Sequence, residues 1–227
     1  MRKTGNIRDN PILTEKQKIL LEKFAEWPQA SQFYMTGGTA LSAFYLQHRL
    51  SEDVDFFTEE NVEIEAVLSF LQSIPDIRDL RLERKFDRKI FLIHYGDGED
   101  FRVEFTKYPF KRIDQFTIVE GINIDSMRDI LANKLFALAD RRDIKDFVDI
   151  YFILKENPAF SIDNAINKAE QKFGIKGLIY ILEGRFLECP KEVELLAMRK
   201  SCDGEGMAAF FKEIARGLIR ESLENDT

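Results

Sequence analysis

Cysteine is scarce. Only Cys189 and Cys202 occur, with no CxxC spacing and no histidine beside either, so neither a disulfide framework nor a zinc site is indicated and the two read as structural thiols. Histidine is equally sparse: His48 and His94 lie far apart, and no GxSxG or HExxH surrounds them, which removes nucleophilic and zinc hydrolysis. Twelve Gly and six Pro are too few for a low-complexity or collagen-like chain. The first residues, MRKTGNIRDNPILTEKQK, carry no apolar run of the signal-peptide kind, and nothing later approaches the roughly 18 apolar residues of a membrane span. A cytoplasmic protein with no membrane association is the expectation. Positive charge is also in deficit. The net charge of −7 argues against broad, sequence-independent binding of nucleic acid, although it leaves room for local basic stretches such as RLERKFDRK (81–89) and RRDIK (141–145).

What is present describes an ordered fold. Of 227 residues, 44% are hydrophobic and 20 are Phe, enough to bury a core without staples. Helical spacing of Ile19, Leu20, Leu21, Phe24 and Ala25 predicts a helix from Thr14, its N-cap, to Trp27, with Pro28 closing it. QFYMT (32–36) reads as a buried strand, Gly37-Gly38 as a tight turn, and Thr39 to Gln47 as a helix. A strand over Val54–Thr58, a helix over Val62–Ser73 and strands near 78–86, 89–95 and 101–107 follow, the last two joined by a turn at Gly96-Asp97-Gly98. From Ser126 the pattern is helical only. An α+β fold is expected, with a mixed sheet and its helices over residues 1–124 and a helical domain over 125–227.

Several short motifs carry chemistry. Glycines between a strand and a helix let backbone approach a bound group, and the helix start offers N–H donors to phosphate, so Gly37, Gly38 and Thr39 form a phosphate cradle or a plain tight turn. In SEDVDFF (51–57), the two-residue period of a strand puts Asp53 and Asp55 on one face and Val54 and Phe56 on the other. Neighbouring carboxylates repel unless a cation lies between them, and an all-oxygen site suits Mg²⁺; the other reading is a strand edge bearing surface acids. In FRVEF (101–105), Arg102 and Glu104 share a face, where Glu104 is a third candidate metal ligand or half of a solvent-facing ion pair. Further on, Lys134 sits in the apolar ILANKLFALA, and Asp146 and Asp149 fall three apart on one helix face beside Lys145. These are either a phosphate-binding lysine with an acid serving as base or ordinary helix charge pairs.

The ordered set GGTALS (37–42), RLSEDVDFF (49–57), RVEF (102–105), Lys134 and RRDIKDFVDIYF (141–152) resembles the AbiEii/AbiGii nucleotidyltransferases of the DNA polymerase β-like superfamily. The resemblance covers residues 33–155. It implies that Gly37, Gly38, Thr39 and Ser51 line a nucleoside triphosphate, and that Asp53 and Asp55, with Glu104 as third acid, hold Mg²⁺, two ions in the two-metal scheme. It further implies that Lys134 meets phosphate, that Asp146 is the acid of a KD motif, and that Arg142 and Lys145 contact phosphate or target, in a cleft between the two parts. The group includes toxins of toxin–antitoxin and phage-exclusion systems, some of which extend the acceptor end of tRNA. It therefore implies an RNA or protein acceptor and an antitoxin partner. An antibiotic-type enzyme acting on small molecules and a catalytically silent nucleotide or partner binder are the alternatives on the same fold.

Overall fold

The structure, a computed structural model, describes residues 6–225. The chain forms two compact units: Met1–Phe110 with Gln115–Ser126, and Lys111–Asp114 with Met127–Thr227. No helix among the described residues is long and apolar enough to cross a membrane.

The first unit is built on a mixed seven-stranded sheet. Its strands are β1 (Tyr34–Thr36), β2 (Val54–Thr58), β3 (Ile77–Lys85), β4 (Arg88–Tyr95), β5 (Asp100–Lys107), β6 (Thr117–Val119) and β7 (Ile122–Ile124), in the order β3-β4-β5-β2-β1-β7-β6. β2 runs parallel to β5 and β1 parallel to β7; the other neighbours are antiparallel. Alternation divides the central strands between two faces. One face presents Phe56, Phe91 and Phe105, all fully buried, with Phe24 of helix α1 (Glu15–Glu26) stacked 4.0 Å from Phe56 and Phe70 of helix α3 (Ile64–Gln72) edge-on to Phe24. Burying one such ring contributes roughly 1.5–3 kcal/mol, so the phenylalanine content is what holds these helices to the sheet.

Helix α1 begins in a capping box: Thr14 Oγ1 accepts from the Gln17 N–H, and Gln17 Oε1 accepts from the Thr14 N–H. Helix α2 (Gly37–Leu41) starts at the first glycine, two residues earlier than the Gly-Gly turn predicts, and widens into a π-helical turn over Ser42–Leu46. The hairpin β6–β7 has no counterpart in the sequence-based reading. Its strands are three residues long, too short for alternation to register, but Glu120 and Gly121 both adopt positive φ (47° and 86°) as a tight hairpin turn requires.

The second unit contains α4 (Met127–Asp140), α5 (Ile144–Glu156), α6 (Ile162–Phe173), α7 (Leu178–Leu187) and α8 (Gly204–Asn225). Helix α5 is buried without interruption from Asp146 to Leu154, as a central helix must be. Phe147 meets Phe211 of α8 edge-on at 5.3 Å, and Phe186 of α7 stacks on the same ring at 5.1 Å. Lys111–Asp114 belongs to this unit because the backbone N–H groups of Ile113 and Asp114 both donate to the buried carboxylate of Asp129, which also accepts from Lys172 at 2.7 Å.

Candidate active site

The face of the sheet opposite the phenylalanine core is polar at its centre. Asp55 on β2 has Thr36 of β1 as one register partner and Glu104 of β5 as the other, so three polar side chains form a row across three strands. Asp53 enters this face one residue before β2 begins. Thr36 Oγ1 donates to Asp125 just beyond β7, and the Asp125 N–H donates to the Met35 carbonyl, which fixes the end of β1 where the glycines follow.

Gly37 is required by its backbone and its surroundings, and Gly38 is closely approached by side chains. Gly37 has φ +76°, and a Cβ there would lie 2.4 Å from Asp55 Oδ2; a Cβ on Gly38 would lie 2.4 Å from Arg49 Nη2 and 3.1 Å from Ser51 Oγ. The glycine turn is thus the wall against which Asp55, Arg49 and Ser51 are placed. Thr39 donates its hydroxyl to the Asp53 carbonyl. From the other side, Gln17 Nε2 donates to the carbonyls of Ser51 (2.7 Å) and Glu52 (3.2 Å). The approach to Asp53 is therefore held by helix α1 and helix α2 together.

The acids are already engaged by arginine. Arg102 reaches Asp53 Oδ2 through Nη1 at 2.7 Å and Glu104 Oε2 through Nη2 at 2.9 Å. Arg88 of β4 clasps Glu104 with two bonds of 2.6 Å, and Thr106 adds a third of the same length. Burial pushes the Glu104 carboxyl up, but the hydrogen bonds from Arg88 and Thr106, with the charges of Arg88 and Arg102, outweigh it and hold the group below its ordinary value.

Asp53 and Asp55, two half-buried carboxylates on one face, supply the oxygen donors a hard divalent cation takes. Both oxygens of Glu104 are already taken by Arg88, Arg102 and Thr106. Among the described residues no three His, Cys, Asp or Glu side chains gather as a metal cluster.

The family of this fold follows from comparison with known proteins. Residues 18–225 match the family described as nucleotidyl transferase AbiEii toxin, Type IV TA system. This chain belongs to the AbiEii family. It is accordingly a nucleotidyltransferase, on an α+β fold whose mixed sheet is followed by helices. An uncharacterized Aquifex aeolicus (strain VF5) protein, aq_aa25, is 29% identical over 180 residues, covering 76% of this chain and 85% of that one. Among solved structures, JHP933 from Helicobacter pylori is similar in fold, with a TM-score of 0.63 at 19% identity over 94% of this chain and 96% of that chain.

The remaining candidates of this AbiEii chain lie in the second unit. Lys134 Nζ sits between Asp146 Oδ1 (2.7 Å) and Asp149 Oδ2 (2.8 Å), with both carboxylates fully buried, and Arg141 Nε reaches Asp146 Oδ2 at 2.8 Å. Both Asp146 oxygens are thus engaged by cations, and Lys134 is committed to two carboxylates. Arg142 stands apart in an exposed pair with Glu188, and Lys145 is exposed at the start of α5. Arg49, Arg88, Arg141 and Asp125 are participants that sequence reasoning missed. RLSEDVDFF and RRDIKDFVDIYF contain the first and third, but their partners depend on turns and helix starts that spacing does not reveal.

Proposed function

We propose that this chain transfers a nucleoside monophosphate from a nucleoside triphosphate to an acceptor hydroxyl, as the toxin of a toxin–antitoxin system, with RNA (a tRNA end) or protein as acceptor and an antitoxin protein as partner. The observation that carries the reading is the Asp53–Asp55 pair set against the Gly37–Gly38 turn on one face of the sheet. Asp53 and Asp55 are the residues that would hold Mg²⁺. When bound, the cation supplies charge neutralisation at the phosphates. The donor set suits one ion at this pair, and a second would need Glu104 to part from its arginines.

The chain's own groups do the positioning. Backbone N–H groups at Gly37, Gly38 and Thr39, with the Ser51 hydroxyl, face the triphosphate. The acceptor oxygen bonds to the α-phosphorus as the bond to the β-phosphate oxygen breaks, pyrophosphate departs, and the hydroxyl proton passes to solvent. In the second unit, the exposed Arg142 and Lys145 suit contact with phosphate or target, whereas Lys134 and Asp146 serve the architecture of α4 and α5.

The test is incubation of the pure protein and its Asp53→Ala, Asp55→Ala variant with Mg²⁺ and each labelled ribonucleoside triphosphate, in the presence of total RNA and a protein extract. Label entering RNA or protein with the parent chain alone is the expected result and names the acceptor class. Equal labelling by the double variant would end the assignment of these two acids. Growth arrest on expression, relieved by Asp53→Ala, is the expected sign of a toxin.

A further inference from the structure

Two of the three carboxylates considered above as metal ligands share one guanidinium. Arg102 spans from Asp53 (2.7 Å) to Glu104 (2.9 Å), with a side chain 30% exposed, while Glu104 is anchored independently by Arg88 and Thr106. The contacts are unequal in kind. On the Glu104 side Arg102 is one of several donors to a carboxylate 3% exposed; on the Asp53 side it meets a carboxylate 38% exposed. An arginine cannot lose its charge in a protein, so this neutralisation is present at every pH at which Asp53 is ionised.

We infer that Arg102 is a built-in competitor of the divalent cation for Asp53, bound to Glu104 as a pivot and displaced from Asp53 whenever the cation takes that carboxylate. This rests on the metal role proposed for Asp53 and Asp55, and adds that cation affinity is set by an arginine which is not itself a ligand. The charges make the direction definite. Removing Arg102 leaves Asp53, Asp55 and Glu104 with one positive group fewer, so mutual repulsion of the acids rises and a divalent ion relieves more of it. A partly exposed arginine–carboxylate contact is modest in strength, so the cation can win it in the parent protein. Once released from Asp53, the guanidinium remains tethered by Glu104 and presents a fork whose natural chemistry is bidentate recognition of phosphate.

The experiment is Mn²⁺ binding to the full-length protein, followed by electron paramagnetic resonance of free Mn²⁺ and by calorimetry, for the parent, Arg102→Gln, Arg102→Lys and Asp53→Asn, Asp55→Asn. Arg102→Gln is expected to bind Mn²⁺ about tenfold more tightly than the parent. Arg102→Lys, which keeps the charge but cannot fork between two acids, should fall between them, and the double asparagine variant should lose binding. Equal or weaker binding by Arg102→Gln, with binding still lost in the asparagine variant, overturns the competitor inference and leaves the metal role standing. Mn²⁺ binding that persists in the asparagine variant, or is absent throughout, overturns both. Because Arg102→Gln could disturb folding, the parent protein supplies an independent readout: the Arg102 Nε resonance in ¹⁵N-arginine spectra, assigned by its absence in Arg102→Lys. It should shift on Mg²⁺ saturation, and a resonance that stays fixed while Mg²⁺ binds would sink the inference.

Discussion

The side-chain amide of Gln17 ties the start of helix α1 to the carbonyl of Ser51, so one residue both closes a capping box and holds the segment that delivers Asp53. Gln17 is fully buried, and each of its polar atoms has a partner. Gln17→Ala is therefore expected to destabilise the protein by about 2 kcal/mol, the sum of a lost cap contribution and of carbonyls left without their donor. Urea denaturation measures this. Nucleotidyl transfer should fall further than stability at temperatures where the variant is fully folded, and an unchanged rate there would separate the cap from the site.

Gly37→Ala and Gly98→Ala form a matched pair. Both positions have positive φ, 76° and 86°, so both substitutions incur a backbone penalty of about 1–2 kcal/mol. Only at Gly37 does the new methyl meet anything: Asp55 Oδ2, at 2.4 Å; at Gly98 nothing lies within 4 Å. Transfer should collapse in Gly37→Ala and persist in Gly98→Ala. A similar loss of activity in both would show that strain alone is responsible.

Lys134→Met should cost about 3–5 kcal/mol, since it removes the ammonium group that lies between the fully buried carboxylates Asp146 and Asp149. Arg142→Ala removes an exposed pair with Glu188 and should change stability by less than about 1 kcal/mol. Thermal melts of the two variants read this contrast directly. Near-equal shifts would contradict the burial argument.

Acid sensitivity follows from Glu104. Its carboxyl is held below the ordinary value of 4.5 in the folded protein, so the folded state binds fewer protons than the unfolded one as pH drops past that value. The stabilisation is present in full above 4.5 and drains away as pH falls through the lower folded value. Urea unfolding between pH 6 and 3 should show a slope in stability that Glu104→Gln flattens, at a neutral-pH cost below the ~3–5 kcal/mol of a fully buried pair because Arg88 is partly exposed. An identical slope in both proteins would assign the acid sensitivity elsewhere.

The cysteines give a probe of the second unit. Burial, with a smaller effect of Cys202, pushes the Cys189 thiol up to about 12, and burial likewise raises Cys202. At pH 8 the Cys189 thiolate fraction is then on the order of 10⁻⁴, so iodoacetamide should react with it only as the helices open. Rapid native-state alkylation of Cys189 would contradict this.

How far the residues alone reveal this arrangement depends on the range of each interaction. Alternation in SEDVDFF and FRVEF put Asp53, Asp55, Arg102 and Glu104 on their faces, because a strand's two-residue period is local. Thr14 announced helix α1 for the same reason. What spacing left open is pairing across strands: Arg102 with Asp53, Arg88 with Glu104 and Thr36 with Asp125 join residues 49, 16 and 89 positions apart. The Asp146–Asp149 face and Lys134 were legible as helix geometry, but the placing of Lys134 between the two buried carboxylates depends on how α4 meets α5, which spacing does not reveal.

The short run Lys111–Asp114 has a further implication for anyone who would take this protein apart. The backbone passes from the sheet unit to the helical one at residue 111, returns at 115 and leaves again after 126, so the two are stitched by three covalent crossings, not hinged on a single linker. A gene cut after residue 126 would carry off the amides of Ile113 and Asp114, and the helical half would then be expressed with Asp129 stripped of two of its donors. No single cut in the chain separates the two halves. A recombination event that swapped one for another would have to restore a four-residue strap in the middle of its neighbour.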